Sequence, residues 1–135
     1  MTSEFQQLKI NGPIKVSAHF AKRVKKRAKI KTAMKRDKFV KDFSTYGLTI
    51  SQISRFGEFK NTFIPLMEKI KNRSIQLGNI GVEVFLYKKF FVLVGNNGTL
   101  VTLYPVPFIY RNIYYEIRQK MLLDENRKET SASNS

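Results

Sequence analysis

The stretch VEVFLYKKFFVLVGNNGTLVTLY, residues 82–104, decides the fold of this 135-residue chain. Its runs Val82 to Tyr87, Phe90 to Val94 and Thr99 to Tyr104 are rich in β-branched and aromatic residues, which suit pleated, buried strands. Lys88-Lys89 separates the first two runs, and Asn96-Asn97-Gly98, a strong hairpin signal, separates the second and third. The pattern predicts a three-stranded antiparallel meander. With Asn97-Gly98 as a two-residue loop, Val94 faces Val101 and Val92 faces Leu103, which makes one continuous apolar face. The opposite face carries Phe91, Leu93, Leu100, Thr102 and Tyr104. Burying each large apolar side chain stabilises by roughly 1.5–3 kcal/mol, so helices are expected to cover the sheet.

Those helices flank the meander. Upstream, Ser17 is a good N-cap for a helix whose apolar stripe is Phe20, Ala21, Val24 and Ala28. Pro13 to Val16 before it suit a short extended segment. A second helix is predicted over about 33–46, buried through Phe39, Val40 and Phe43 and ended by Gly47. Residues 48–59 fit neither period and read as a loop with anchors or a short helix. A third helix spans 60–73, with Phe63, Ile64, Met67 and Ile70 at helical spacing and Pro65 in the first turn, where proline is tolerated. Pro105 and Pro107 stop the sheet. A final helix over 108–123 follows, with Ile109, Ile113, Ile117 and Met121 on one stripe.

The fold class is therefore α+β: N-terminal helices packed on a C-terminal antiparallel meander of three to four strands, followed by a C-terminal helix. Residues 1–12 read as a flexible lead-in after which Gly12-Pro13 marks a turn, 13–123 as one α+β domain, and 124–135 as a disordered polar tail.

Charge points to a partner. The net charge is +15, and residues 14–41 hold twelve Lys/Arg against the single acid Asp37. So concentrated a patch favours a polyanion, with nucleic acid first. The chain has no cysteine and one histidine, which rules out disulfides, thiolate zinc sites and a cysteine nucleophile and leaves little for a metal. No phosphate-binding glycine loop, dinucleotide fingerprint or paired carboxylate site is present, so no cofactor is expected. No apolar run approaches the ~20 residues of a membrane span, and residues 1–12 lack the pattern of a signal peptide. A cytoplasmic protein is expected.

The single histidine heads the basic region. On a helix, His19, Arg23 and Arg27 lie four residues apart and form one nearly straight row beside the apolar stripe. An imidazole can carry a proton near neutral pH, and guanidinium binds phosphate oxygens bidentately. The same row equally suits solvent and nucleic-acid backbone. Lys22, Lys26, Lys88, Lys89, Arg111 and Thr102 are further candidates for nucleic-acid contact. Phe90, Phe91, Phe108, Tyr110, Tyr114 and Tyr115 are aromatic residues able to stack bases, although core packing competes for most of them.

Ser17-x-His19-x3-Arg23-x3-Arg27 at a helix start, followed by an antiparallel meander, resembles the small ribonucleases of the barnase–EndoU–RelE type. The local likeness is to RegB-like phage endoribonucleases, and Leu100-Val101-Thr102-Leu103-Tyr104 is similar to a strand of small phage and mobile-element proteins. The resemblance covers 17–27 and 82–104 in pattern. It implies a metal-independent endoribonuclease acting as a toxin or phage regulator, with RNA as the nucleic acid and a cognate antitoxin or host protein as a further partner. RegB-like enzymes use more than one histidine and this chain has one, so a two-histidine scheme does not apply. RelE-type toxins use basic and tyrosine groups instead. On that pattern His19 carries one proton and Arg23 steadies the phosphate; the second proton carrier comes from Tyr104, Lys88, Lys89 or Glu83 on the sheet, with Tyr104 chosen because it ends the strand to which the resemblance points. The alternative for the same basic face is binding without cleavage, to nucleic acid or to a host protein.

Overall fold

The computed structural model describes residues 15–59 and 61–133, with side chains described through residue 126 apart from residue 60. The expected lead-in and the Gly12-Pro13 turn lie outside the described residues. In chain order the elements are β1 (Lys15–Val16), α1 (Ala18–Arg27), α2 (Ala33–Tyr46), β2 (Leu48–Thr49), α3 (Ile50–Ser54), α4 (Phe63–Gln76), β3 (Glu83–Tyr87), β4 (Phe90–Val94), β5 (Thr99–Pro105) and α5 (Ile113–Ser133). Short 3-10 turns cover Gly57–Phe59 and Phe108–Tyr110. The fold is α+β, as expected, but the meander belongs to a five-stranded mixed sheet of order β1-β5-β4-β3-β2. The two additional strands are two residues long; β1 pairs parallel with β5 and β2 antiparallel with β3.

The β4–β5 hairpin differs from expectation at its tip and agrees with it further in. Asn96, Asn97 and Gly98 form a three-residue loop closed by Gly95 N–H donating to the Thr99 carbonyl at 2.8 Å. Gly98 takes a φ of 82°, which glycine adopts without steric cost. The longer loop puts Val94 opposite Leu100 rather than Val101. A bulge at Val101 then absorbs one residue, so Leu93 faces Thr102 and Val92 faces Leu103 as expected.

Both faces of the sheet are covered. Phe39 and Phe43 of α2 meet Phe85, Tyr87 and Phe90 on one face through edge-on ring contacts. Phe63 of α4 meets Phe91 on the other at 5.6 Å between ring centroids. Val84 to Tyr87 and Phe91 to Val94 are consequently buried without alternation. Thr102, expected to face a partner, is buried with them at 5% exposure.

Helix ends follow local chemistry. Thr49 and Gln52 form a capping box on α3, so the ambiguous segment 48–59 resolves into a short strand, a short helix and a 3-10 turn. Gly47 closes α2 where a Cβ would stand 2.8 Å from the Phe43 ring, a space only glycine leaves free. Helix α4 starts at Phe63 and runs to Gln76, three residues later than expected at each end. The last helix begins at Ile113, because Pro107 starts a separate 3-10 turn that leaves Ile109 exposed off the Ile113, Ile117 and Met121 stripe. It continues through Ser133, so residues 124–133 are helical rather than the disordered tail expected from their polarity.

Candidate nucleic-acid interface

Helix α1 takes over where β1 stops. The Ser17 N–H donates to the Leu100 carbonyl at 3.2 Å, which extends the β1–β5 pairing by one residue. The Ser17 hydroxyl accepts from Phe20 N–H at 3.0 Å and donates to the Val101 carbonyl at 3.2 Å. One side chain thus caps the helix and ties it to β5. Phe20 and Val24 are fully buried, which fixes the rotation of α1 about its axis. His19, Lys22, Lys25 and Lys26 are left exposed, and Arg23 and Arg27 are half-buried at the border.

The two arginines of the row do different things. Arg23 Nε donates to His19 Nε2 at 3.3 Å, which holds the two side chains together. Arg27 Nη1 donates to the Leu103 carbonyl, and its guanidinium lies over the Tyr104 ring, 4.9 Å from the centroid. Beyond the two residues of β1, β5 has an unpaired edge among the described residues, and Arg27 satisfies one of its carbonyls while α1 covers it. Arg27, expected to grip phosphate, is therefore largely committed to the fold.

The remaining candidates fall in three places. Thr102 is buried and cannot contact nucleic acid; its hydroxyl oxygen has no hydrogen-bond partner among the described residues. Lys88 and Lys89 form the exposed two-residue turn between β3 and β4, where Tyr87 faces Phe90. This turn lies at the same end of the sheet as Tyr104, since Phe91 faces Tyr104 and Phe90 faces Pro105. Lys88 has a φ of 54°, a left-handed conformation that lysine adopts at a cost. Arg111 lies beyond β5, with its guanidinium over the Phe108 ring at 4.0 Å.

Direct contacts thus join His19 to Arg23, and Tyr104 to Arg27. None joins His19 to Tyr104 among the described residues. The eight steps from His19 to Arg27 span about 12 Å of helix axis. The structure does not gather the three expected catalytic groups into one contact set.

Electrostatics add to the case for the helix face. The first turn of α1 holds no acid, and Lys25, Lys26 and Arg27 occupy the last turn, where the helix dipole favours cations. Every lysine from Lys15 to Lys41 is exposed. Among the described residues none of them joins an ion pair; the pairs Lys71–Glu83 and Lys120–Glu58 lie elsewhere. Lys25, Lys29, Lys31, Lys35 and Lys38 thus extend the candidate set, and the signal for them was the same charge count carried past Arg27. A surface depression lined by Thr49, Glu68, Lys71 and Glu83 carries both signs of charge and sits on the β2–β3 side of the sheet, at the opposite edge from α1. Among the described residues no group of three or more His, Asp or Glu side chains gathers as metal ligands, and no helix is long and apolar enough to cross a membrane.

Comparison with protein-family models, with curated proteins and with solved structures finds no match.

Proposed function

We propose that the chain binds nucleic acid through the phosphate backbone, using the exposed cationic face of α1. The observation that carries this reading is the exposed set Lys22, Lys25 and Lys26, held outward by the buried Phe20 and Val24 and joined to no acid among the described residues. A solubilising surface usually mixes both signs of charge. A face of one sign attracts a polyanion, releases its counterions and steers its approach. A helix face, unlike an enclosing pocket, suits a long backbone more than a small phosphate ligand.

The test is binding of a labelled oligonucleotide at increasing salt, with Lys22→Glu and Lys26→Glu combined as the control. Binding that weakens steeply with salt and is lost in the double variant supports the reading. Salt-independent binding refutes it.

A second reading, metal-independent RNA cleavage, is favoured by one observation: His19 stands exposed with Arg23 at its side, a proton-carrying group beside a phosphate-binding one. Tyr104 lies under the Arg27 guanidinium, one turn further along α1 than Arg23, and among the described residues shares no hydrogen bond or ring contact with His19 or Arg23. Incubation of RNA with the purified protein in EDTA tests it. Cleavage that His19→Ala abolishes supports the reading, and intact RNA refutes it.

A further inference from the structure

Phe108 and Ile109 are 73% and 79% exposed, although burying such side chains is worth roughly 1.5–3 kcal/mol each. They sit in the 3-10 turn that follows β5, and this turn is anchored on both sides. Tyr110 packs on Phe63 at 5.5 Å between ring centroids. Val106 N–H donates to the Lys89 carbonyl at 2.8 Å, which fastens the segment to the β3–β4 turn. The exposed ring is therefore held on a fixed support. Arg111 covers one face of the Phe108 ring at 4.0 Å. Lys88, Lys89 and Arg111 are all exposed and, among the described residues, join no ion pair.

We propose that Phe108 is a stacking platform for an unpaired base of a single-stranded nucleic acid, with Arg111, Lys88 and Lys89 receiving the neighbouring phosphates. The proposal rests on the nucleic-acid reading above and names the form of the ligand. A guanidinium on one face fixes the ring and puts a cation beside it. A base stacks on an exposed aromatic face whatever its identity. Bases in a duplex are already stacked on their neighbours, so a ring that protrudes from the surface favours an unpaired strand. The Val106–Lys89 bond sets the Lys88-Lys89 turn against the segment that carries Phe108 and Arg111, which supplies cations for the phosphates beside that base. Of the six aromatics that the sequence offered for stacking, Phe108 is the most exposed; Phe91 and Tyr114 are buried, and Phe90 and Tyr110 are half-buried.

The experiment compares a short labelled single strand with its blunt duplex, using the wild type, Phe108→Ala, Phe108→Trp and the Lys22→Glu/Lys26→Glu variant. Phe108→Ala is expected to lower single-strand affinity roughly tenfold, to leave duplex affinity unchanged and to keep the salt dependence, because stacking releases no counterions. Phe108→Trp is expected to retain single-strand affinity. The helix variant is expected to weaken both ligands. Equal single-strand affinity in Phe108→Ala and wild type overturns the platform and leaves the helix reading standing. No binding of either oligonucleotide by the wild type at low salt overturns both. Binding of anionic phospholipid vesicles that Phe108→Ala abolishes, with oligonucleotide affinity intact, assigns the patch to a membrane surface and overturns the proposal.

Discussion

Arg27 donates to the main-chain carbonyl of Leu103 while its guanidinium stacks on Tyr104, so a residue of the most basic helix closes an open sheet edge. Removing it leaves that carbonyl without its partner and uncovers the ring. Arg27→Ala is expected to cost about 1–2 kcal/mol, read from the urea midpoint at unchanged slope. Lys22→Ala, on the exposed side of the same helix, is expected to change stability by no more than about 0.5 kcal/mol. Equal effects of the two substitutions would show that Arg27 is only another surface charge.

Thr102 presents a second structural contrast. Its hydroxyl is buried opposite Leu93 and has no hydrogen-bond partner among the described residues. Valine has nearly the same shape without the polar atom. Thr102→Val is expected to stabilise the fold by about 1 kcal/mol and to leave oligonucleotide binding unchanged. A loss of binding in a folded Thr102→Val protein would return Thr102 to the interface.

Lys88 holds a left-handed conformation in the β3–β4 turn that glycine would adopt without a Cβ penalty. Lys88→Gly is expected to raise stability by about 1 kcal/mol. If Lys88 also meets a phosphate, the same substitution lowers affinity and reduces the log–log salt slope by about 0.9 on duplex DNA or about 0.7 on a single strand. Opposite movements of stability and binding in one variant identify a site where conformational cost is retained for function. Unchanged binding assigns Lys88 to the turn alone.

Burial, reinforced by the Asp42 carboxylate, holds the Tyr87 hydroxyl well above the usual tyrosine range, and burial raises that of Tyr114, which donates to the Tyr46 carbonyl. Both groups are neutral in either state below about pH 10, so their contribution is fully present there. Above that pH the unfolded chain releases these protons and the folded chain keeps them. Stability is therefore expected to fall as pH rises past about 10 and on through the raised folded-state values. Tyr87→Phe is expected to flatten this decline in urea unfolding followed against pH. An unchanged profile would contradict the assignment.

The parts of the fold written in local chemistry were legible in the sequence. Ser17 caps α1, α2 spans the expected residues, and Val92 faces Leu103 because the three-residue loop and the Val101 bulge cancel. Two-residue strands have no period to read, so β2 was invisible and β1 only an extended segment. The depth of Thr102 depends on helices covering both sheet faces, which residues 82–104 do not encode. The candidate site divides in the same way. The exposure of Lys22 and Lys26 follows from the Phe20–Val24 stripe, but the role of Arg27 follows from which carbonyls of β5 lack a neighbouring strand. The separation of Tyr104 from the His19–Arg23 contact is a tertiary fact of the same kind.

The most direct measurement is fluorescence anisotropy of a labelled oligonucleotide over a range of salt concentrations, for the wild type and for Lys22→Glu/Lys26→Glu. With the exposed cations of α1 as the interface, log affinity falls linearly with log salt in the wild type. The double variant binds far more weakly and with a shallower slope. A wild-type affinity indifferent to salt, or a folded double variant that binds as tightly as the wild type, would contradict the assignment of this helix face to nucleic acid.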